Sequence, residues 1–211
     1  VKQLVAPRIT TAGVHAAGRE YSERHGGSPS FLAYMNYPPS LCISINQEVI
    51  HGIPGPRKLR SGDLVSIDAG VEYQGCYADA AVSIAVGNVN GDVAKLMSVT
   101  EQCLNRGISQ ARNGNRVQHI SRAVQELAEA HGYGIVRQFC GHGVGFSQHE
   151  DPQIPNYIGR GPNPRLKSGM VLAIEPMICI GNGDVRVLDD DWTVVTSDTS
   201  ISAHYEHTVA L

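Results

Sequence analysis

Residues 61–68 read Ser61-Gly62-Asp63-Leu64-Val65-Ser66-Ile67-Asp68, and residues 168–175 read Ser168-Gly169-Met170-Val171-Leu172-Ala173-Ile174-Glu175. In both copies Ser-Gly opens a turn, a mostly apolar run of strand length follows, and an acid closes it. The ordinary grammar of buried strands produces such an echo by itself. The other reading is a molecule of two similar halves related by a pseudo-two-fold axis, each delivering a carboxylate from a strand end into a shared cleft.

Working outward from Asp68, the chain passes through VEYQGCYA to Asp79, with Gly70 and Gly75 between them. That spacing predicts a hairpin that brings the two carboxylates together on paired strands. Close carboxylates cannot both stay ionised without a cation, so one is protonated or a metal sits there. An isolated Asp at a strand end is ordinarily a turn residue serving its own backbone. Glu175 is different, because MVLAIEPMICI surrounds it with apolar neighbours and an unpaired buried carboxylate is costly. Glu206, in AHYEHT, adds a fourth acid. With His142 these make a hard oxygen set with one imidazole, which suits Mn, Fe, Co or Zn in a two-metal site better than a Cys-rich structural zinc site.

His142 stands in Cys140-Gly-His-Gly-Val-Gly-Phe-Ser-Gln-His-Glu-Asp-Pro152, with His149 seven residues on. The glycines allow backbone conformations closed to other residues and close approach of the chain to a ligand. A phosphate-binding loop is excluded: the third glycine comes too soon for a dinucleotide fingerprint, and the Gly-Lys-Ser/Thr of a P-loop is missing.

The rest of the chain bounds the answer. At 211 residues it reads as one domain. A net charge of -3 without a Lys/Arg cluster argues against a nucleic-acid site. No apolar run is long enough for a membrane helix. Cys42, Cys76, Cys103, Cys140 and Cys179 are odd in number and widely spaced, as expected of reduced, mostly buried thiols in a cytoplasmic protein. Periodicity and end signals predict helices over 10–25, 93–112 and 117–131, the last two forming a hairpin across Asn113-Gly114. Strands are predicted over 41–45, 64–68, 80–86, 134–139, 171–175, 184–187, 192–196 and 204–211. The mixture implies an α+β domain.

With these residues laid out, the chain resembles the type I methionine aminopeptidases over nearly its whole length. YPPSLCISINQEVIHGIP (37–54), GHGVGFSQHEDP, AIEPM and SAHYEHT carry the resemblance, and their spacings match. It implies the pita-bread fold, two pseudo-two-fold-related halves with a curved antiparallel sheet covered by helices. It also implies that Asp68, Asp79, His142, Glu175 and Glu206 bind two divalent ions, with Asp79 and Glu206 bridging. His51 and His149 become substrate-contacting histidines. A hydroxide bridging the ions would attack the peptide carbonyl, His149 would donate to the oxyanion or the substrate amide, and Glu175 would shuttle a proton to the leaving amine. The implied substrate is the N-terminal methionine of a peptide or nascent chain with a small second residue, handled by a monomer that works in the cytoplasm and docks on the ribosome.

By the same resemblance Tyr34, Tyr37, Cys42 and Trp192 shape the methionine pocket; for Trp192, beside Asp189 to Asp191, ordinary core packing stays open. Phe31 stands where the family often has a smaller residue, and Gln148 where an aromatic one is common, so both are expected to alter the pocket wall. The family usually has a helix ahead of the segment matching residues 1–20 and a few residues past Leu211, which implies a trimmed or naturally short form. Xaa-Pro peptidases and creatine hydrolases share the fold but carry an extra N-terminal domain, and type II enzymes carry a helical insertion for which residues 143–202 have too little room. A non-catalytic binding module is the alternative from another class, and it would be expected to lose ligands that are all present here.

Overall fold

Capping side chains start the first two helices, and apolar stripes seat the last two. A computed structural model describes residues 2–32 and 34–211. In it α1 (Thr11–Arg24) is capped by Thr10, whose hydroxyl accepts from Gly13 N at 3.0 Å, and ends where Gly26 takes a φ of 80°. The second helix, α2 (Gly91–Gln110), starts a little before the predicted point because Asn90 caps it, accepting from Val93 N at 2.9 Å. Its inner face carries Val93, Leu96, Val99, Cys103 and Leu104. It packs against α3 (Val117–Ala130), which buries Val117, Ile120, Val124 and Leu127. Gly107 keeps the contact tight, since a Cβ there would lie 3.2 Å from Val124 and 3.3 Å from Ile174.

The strands are β1 (Ser28–Pro29), β2 (Cys42–Ile45), β3 (Glu48–Ile50), β4 (Leu64–Tyr73), β5 (Cys76–Ala85), β6 (Gly134–Ile135) and β7 (Gly141–Gly143). Beyond them come β8 (Glu150–Ile154), β9 (Val171–Ile174), β10 (Met177–Cys179), β11 (Val185–Val187), β12 (Val194–Thr196), β13 (Ser202–His204) and β14 (His207–Ala210). Among the described residues every ladder is antiparallel, and they group as β1-β4-β2 with β5 on β4, β13-β10-β6, β11-β12-β3, and β14-β9-β7-β8. The α+β class and the two-half pita-bread arrangement are as expected. Helix α1 lays Val14 on a cluster with Ile43, Ile45, Val65 and Ile67. The α2/α3 hairpin packs on Leu172, Ile174, Ile178 and Ala203.

Three expectations change. The strand expected over 64–68 runs on to Tyr73, so the hairpin is longer and Asp79 lies inside β5 rather than at its start. The strand expected over 134–139 shrinks to two residues. The one expected over 204–211 is split at Tyr205-Glu206, because Glu206 leaves its own ladder to exchange backbone bonds with Ala81: Glu206 N donates to Ala81 O at 2.9 Å, and Ala81 N to Glu206 O at 3.3 Å. That exchange stitches the halves together. Thr208 reinforces it, its hydroxyl accepting from Asp79 N and donating to Asp79 O, both at 2.8 Å.

Candidate metal centre and cleft

Register explains why five distant residues meet. In the β4–β5 hairpin Gly70 faces Asp79 and Asp68 faces Ala81, so the two aspartates share one face diagonally. In the second half Ile174 pairs with His207, and one further step along the antiparallel register sets Glu175 against Glu206. His142 pairs with Ala173, two residues before Glu175, and so joins the same face. The glycines around it are required: a Cβ on Gly141 would strike the Ala173 carbonyl, and one on Gly143 the Asp151 carbonyl.

Candidate ligand atoms of Asp79, His142 and Glu206 lie within 4.8 Å of one another. Glu175 Oε1 is 3.7 Å from His142 Nε2, and Asp68 adjoins Asp79. Asp68, Asp79, His142 and Glu206 are buried. Among the described residues none of the four acids is paired with Lys or Arg. Burial, then the other acids, pushes Asp68, Glu175 and Glu206 well above the usual carboxylate range, and burial lifts Asp79 to about 6. Among the described residues Asp68 Oδ1 has no hydrogen-bond partner. His142 Nδ1 donates to Gly143 O at 2.8 Å, which leaves the Nε2 lone pair directed at the acids, and burial keeps the ring neutral. Four buried acids and one imidazole with its tautomer already committed fit hard or borderline divalent cations.

The cleft beside them, about 270 Å³, is lined by Phe31, Tyr34, Met35, Tyr37, Cys42, His51, His149 and Trp192 together with the five candidate ligands. Trp192 therefore belongs to the cleft: its ring stands edge-on to Tyr37 at 4.9 Å, and Asp190 fixes the turn before it by accepting from Trp192 N and Thr193 N. Phe31 occupies space that Gly70 leaves open, since a Cβ on Gly70 would sit 2.6 Å from its ring. His51 holds a left-handed backbone (φ 58°) with its ring edge-on to Phe139 and Trp192, and burial takes its pKa down to about 4. The His149 ring lies 4.2 Å from that of His142, and its Nδ1 is 2.9 Å from the Tyr34 hydroxyl. With that hydroxyl as donor, Nε2–H is left for a ligand. Partial burial and then the neighbouring His142 and His51 hold His149 neutral, down at about 4.

Gln148 is the exception among the expected pocket residues. It lies outside the cleft lining, and its Nε2 donates instead to Asp79 Oδ2 at 2.6 Å. Sequence reasoning also passed over Met35, Asn156 and His204. Asn156 donates to Glu175 O at 3.0 Å. His204 is buried with neither ring nitrogen hydrogen-bonded among the described residues, and its Nε2 is 3.9 Å from Glu175 Oε2. Its place two residues before Glu206, on the same alternating face, was the available signal.

The sequence pattern described as Metallopeptidase family M24 matches residues 1–211. A methionine aminopeptidase of Clostridium perfringens is 47% identical over 211 residues, covering 100% of this chain and 85% of that protein. Methionine aminopeptidase 1 of Bacillus subtilis is 44% identical at the same coverage. The crystal structure of a methionine aminopeptidase from Thermotoga maritima superposes with a TM-score of 0.97 at 40% identity, over 100% of this chain and 85% of that one. A prolidase from Pyrococcus furiosus shares the fold alone, with a TM-score of 0.77 at 22% identity over 99% of this chain and 55% of that one.

Proposed function

The chain belongs to metallopeptidase family M24, and from that premise we propose that it is a methionine aminopeptidase, removing N-terminal methionine from peptides and nascent chains whose second residue is small. One observation carries the reading: four carboxylates without cationic partners and a histidine committed to Nε2 open into an apolar, aromatic cleft.

Asp68, Asp79, His142, Glu175 and Glu206 would hold two divalent ions; Co, Mn, Fe and Zn all suit the donors. When bound, such ions supply a Lewis acid for a carbonyl oxygen and lower the pKa of bound water. His149 would donate its Nε2–H to the developing oxyanion or the substrate amide, an assignment supported by its neutral ring and its contact with Tyr34. Glu175, with the neutral His142 and His204 on either side, would pass a proton towards the leaving amine. His51 would help seat the amide. Phe31, Tyr34, Tyr37, Cys42 and Trp192 would enclose the methionine side chain, whose thioether packs favourably against aromatic rings. The acidic end of the cleft would receive the free α-amino group, which favours an exopeptidase. Residues 1–211 would form one catalytic unit.

The test compares Met-Ala-Ser, Met-Leu-Ser and Ala-Pro-Ser with added Mn, Co or Fe. Release of methionine from the first peptide alone is expected. No release with any metal from folded protein overturns the reading, and preferred cleavage of Ala-Pro-Ser moves it to an Xaa-Pro peptidase.

A further inference from the structure

Between β7 and β8 the chain turns through Val144–His149, and the turn points two neighbouring side chains in opposite directions. Phe146 is 86% exposed, whereas Gln148 is only 3% exposed. Glu150 sets this shape by accepting from Phe146 N at 2.6 Å and Ser147 N at 2.7 Å. Gly145 O then accepts from Tyr77 N at 2.7 Å, which pins the turn to β5 two residues from Asp79. The amide of Gln148 is thereby delivered to Asp79 from a different half of the molecule.

At Asp79 the donors are shared evenly. Oδ1 accepts from Ala80 N at 2.9 Å and Oδ2 from Gln148 Nε2 at 2.6 Å. The orientation of the amide follows from chemistry: turned over, its oxygen would face a carboxylate oxygen at the same short distance, and the two would repel. The cost is visible on the other side, where Gln148 Oε1 is buried without a partner among the described residues. A side chain that leaves its own oxygen orphaned to reach a carboxylate is poorly explained as packing. With one N–H on each oxygen, Asp79 is fixed in rotation and keeps a lone pair on both oxygens for cations.

We propose that Gln148 is a positioning residue for the metal centre, locking the rotation of the Asp79 carboxylate and thereby setting the protein's affinity for divalent metal. This rests on the reading of Asp79 as a metal ligand, and it gives Gln148 a role distinct from the pocket wall. Partners that orient metal ligands typically change affinity by about 10–100-fold when lost.

The experiment measures Mn²⁺ and Co²⁺ dissociation constants by titration calorimetry on metal-free wild type, Gln148→Leu and Gln148→Met, with the thermal midpoint of each metal-free protein recorded alongside. The second variant guards against poor folding of the first, because its unbranched side chain follows the glutamine path. Both variants are expected to bind metal about 10–100-fold more weakly. Their metal-free midpoints should fall by no more than a few degrees, since Asp79 Oδ2 loses its donor while the unpartnered Gln148 oxygen is removed with it. Unchanged affinity in both variants overturns the proposal, as does an affinity loss confined to variants whose metal-free form no longer unfolds cooperatively. Wild type that binds neither ion removes the metal-ligand reading itself, and the proposal with it.

Discussion

Replacing Thr208 by valine tests whether the two halves are held together at the ligand strands. Valine keeps the shape and removes one hydroxyl, which at present accepts from Asp79 N and donates to Asp79 O, both at 2.8 Å. Asp79 is buried, so both backbone groups would be orphaned. Each orphaned group costs about 1–3 kcal/mol, and the partial exposure of Thr208 favours the lower end, giving about 2–3 kcal/mol together. For a chain of this length that corresponds to a drop of roughly 4–12 °C in thermal midpoint, at about 2–4 °C per kcal/mol. Differential scanning calorimetry of metal-free wild type, Thr208→Val and Thr208→Ser provides the measurement. The serine variant retains the hydroxyl and should recover most of the loss. A valine variant as stable as wild type, or a serine variant as impaired as valine, would refute the stitching argument.

Other outcomes follow from the same geometry. His149→Ala should lower turnover by about 10²-fold, as for loss of a positioned donor, while metal content measured by plasma emission stays normal. His142→Ala should instead weaken metal binding in calorimetry, because the committed Nε2 is lost. For the metal-free protein the window above about pH 7.5 is informative, since the unfolded-state histidines are almost entirely neutral there. Asp68, Glu175 and Glu206 have folded-state pKa values raised well above their unfolded ones. Their contribution to stability is therefore complete at low pH and lost as pH rises towards those folded values. The metal-free midpoint should fall as pH rises through this window, and the gap between metal-loaded and metal-free protein should widen; a flat metal-free profile there would contradict the burial of these acids.

Much of this was legible because register converts local patterns into geometry. The Ser-Gly-strand-acid echo located Asp68 and Glu175, and Gly-His-Gly located His142, since only glycine tolerates the Ala173 and Asp151 carbonyls at its flanks. Helices α2 and α3 were readable because their buried residues recur at helical spacing. Short strands such as Gly141–Gly143 and Met177–Cys179 were not, being too brief to alternate and defined by partners far away in the chain. The break at Glu206 was hidden for the same reason: its backbone serves Ala81, more than a hundred residues earlier. Gln148 shows the limit most clearly. Its position pointed to the pocket, whereas the Glu150-fixed turn aims it at Asp79, and only the folded loop reveals that direction.

As proposed, the four acids and His142 assemble a divalent-metal aminopeptidase centre. Methionine release from Met-Ala-Ser, followed while Mn²⁺ is titrated into metal-free wild type and Glu206→Gln, tests it most directly. The expected result is no release without metal, saturable activation of wild type, and a Glu206→Gln protein that stays folded but is inactive at the same Mn²⁺ concentrations. Metal-independent release by wild type, or full activation of Glu206→Gln at wild-type Mn²⁺ levels, would contradict it.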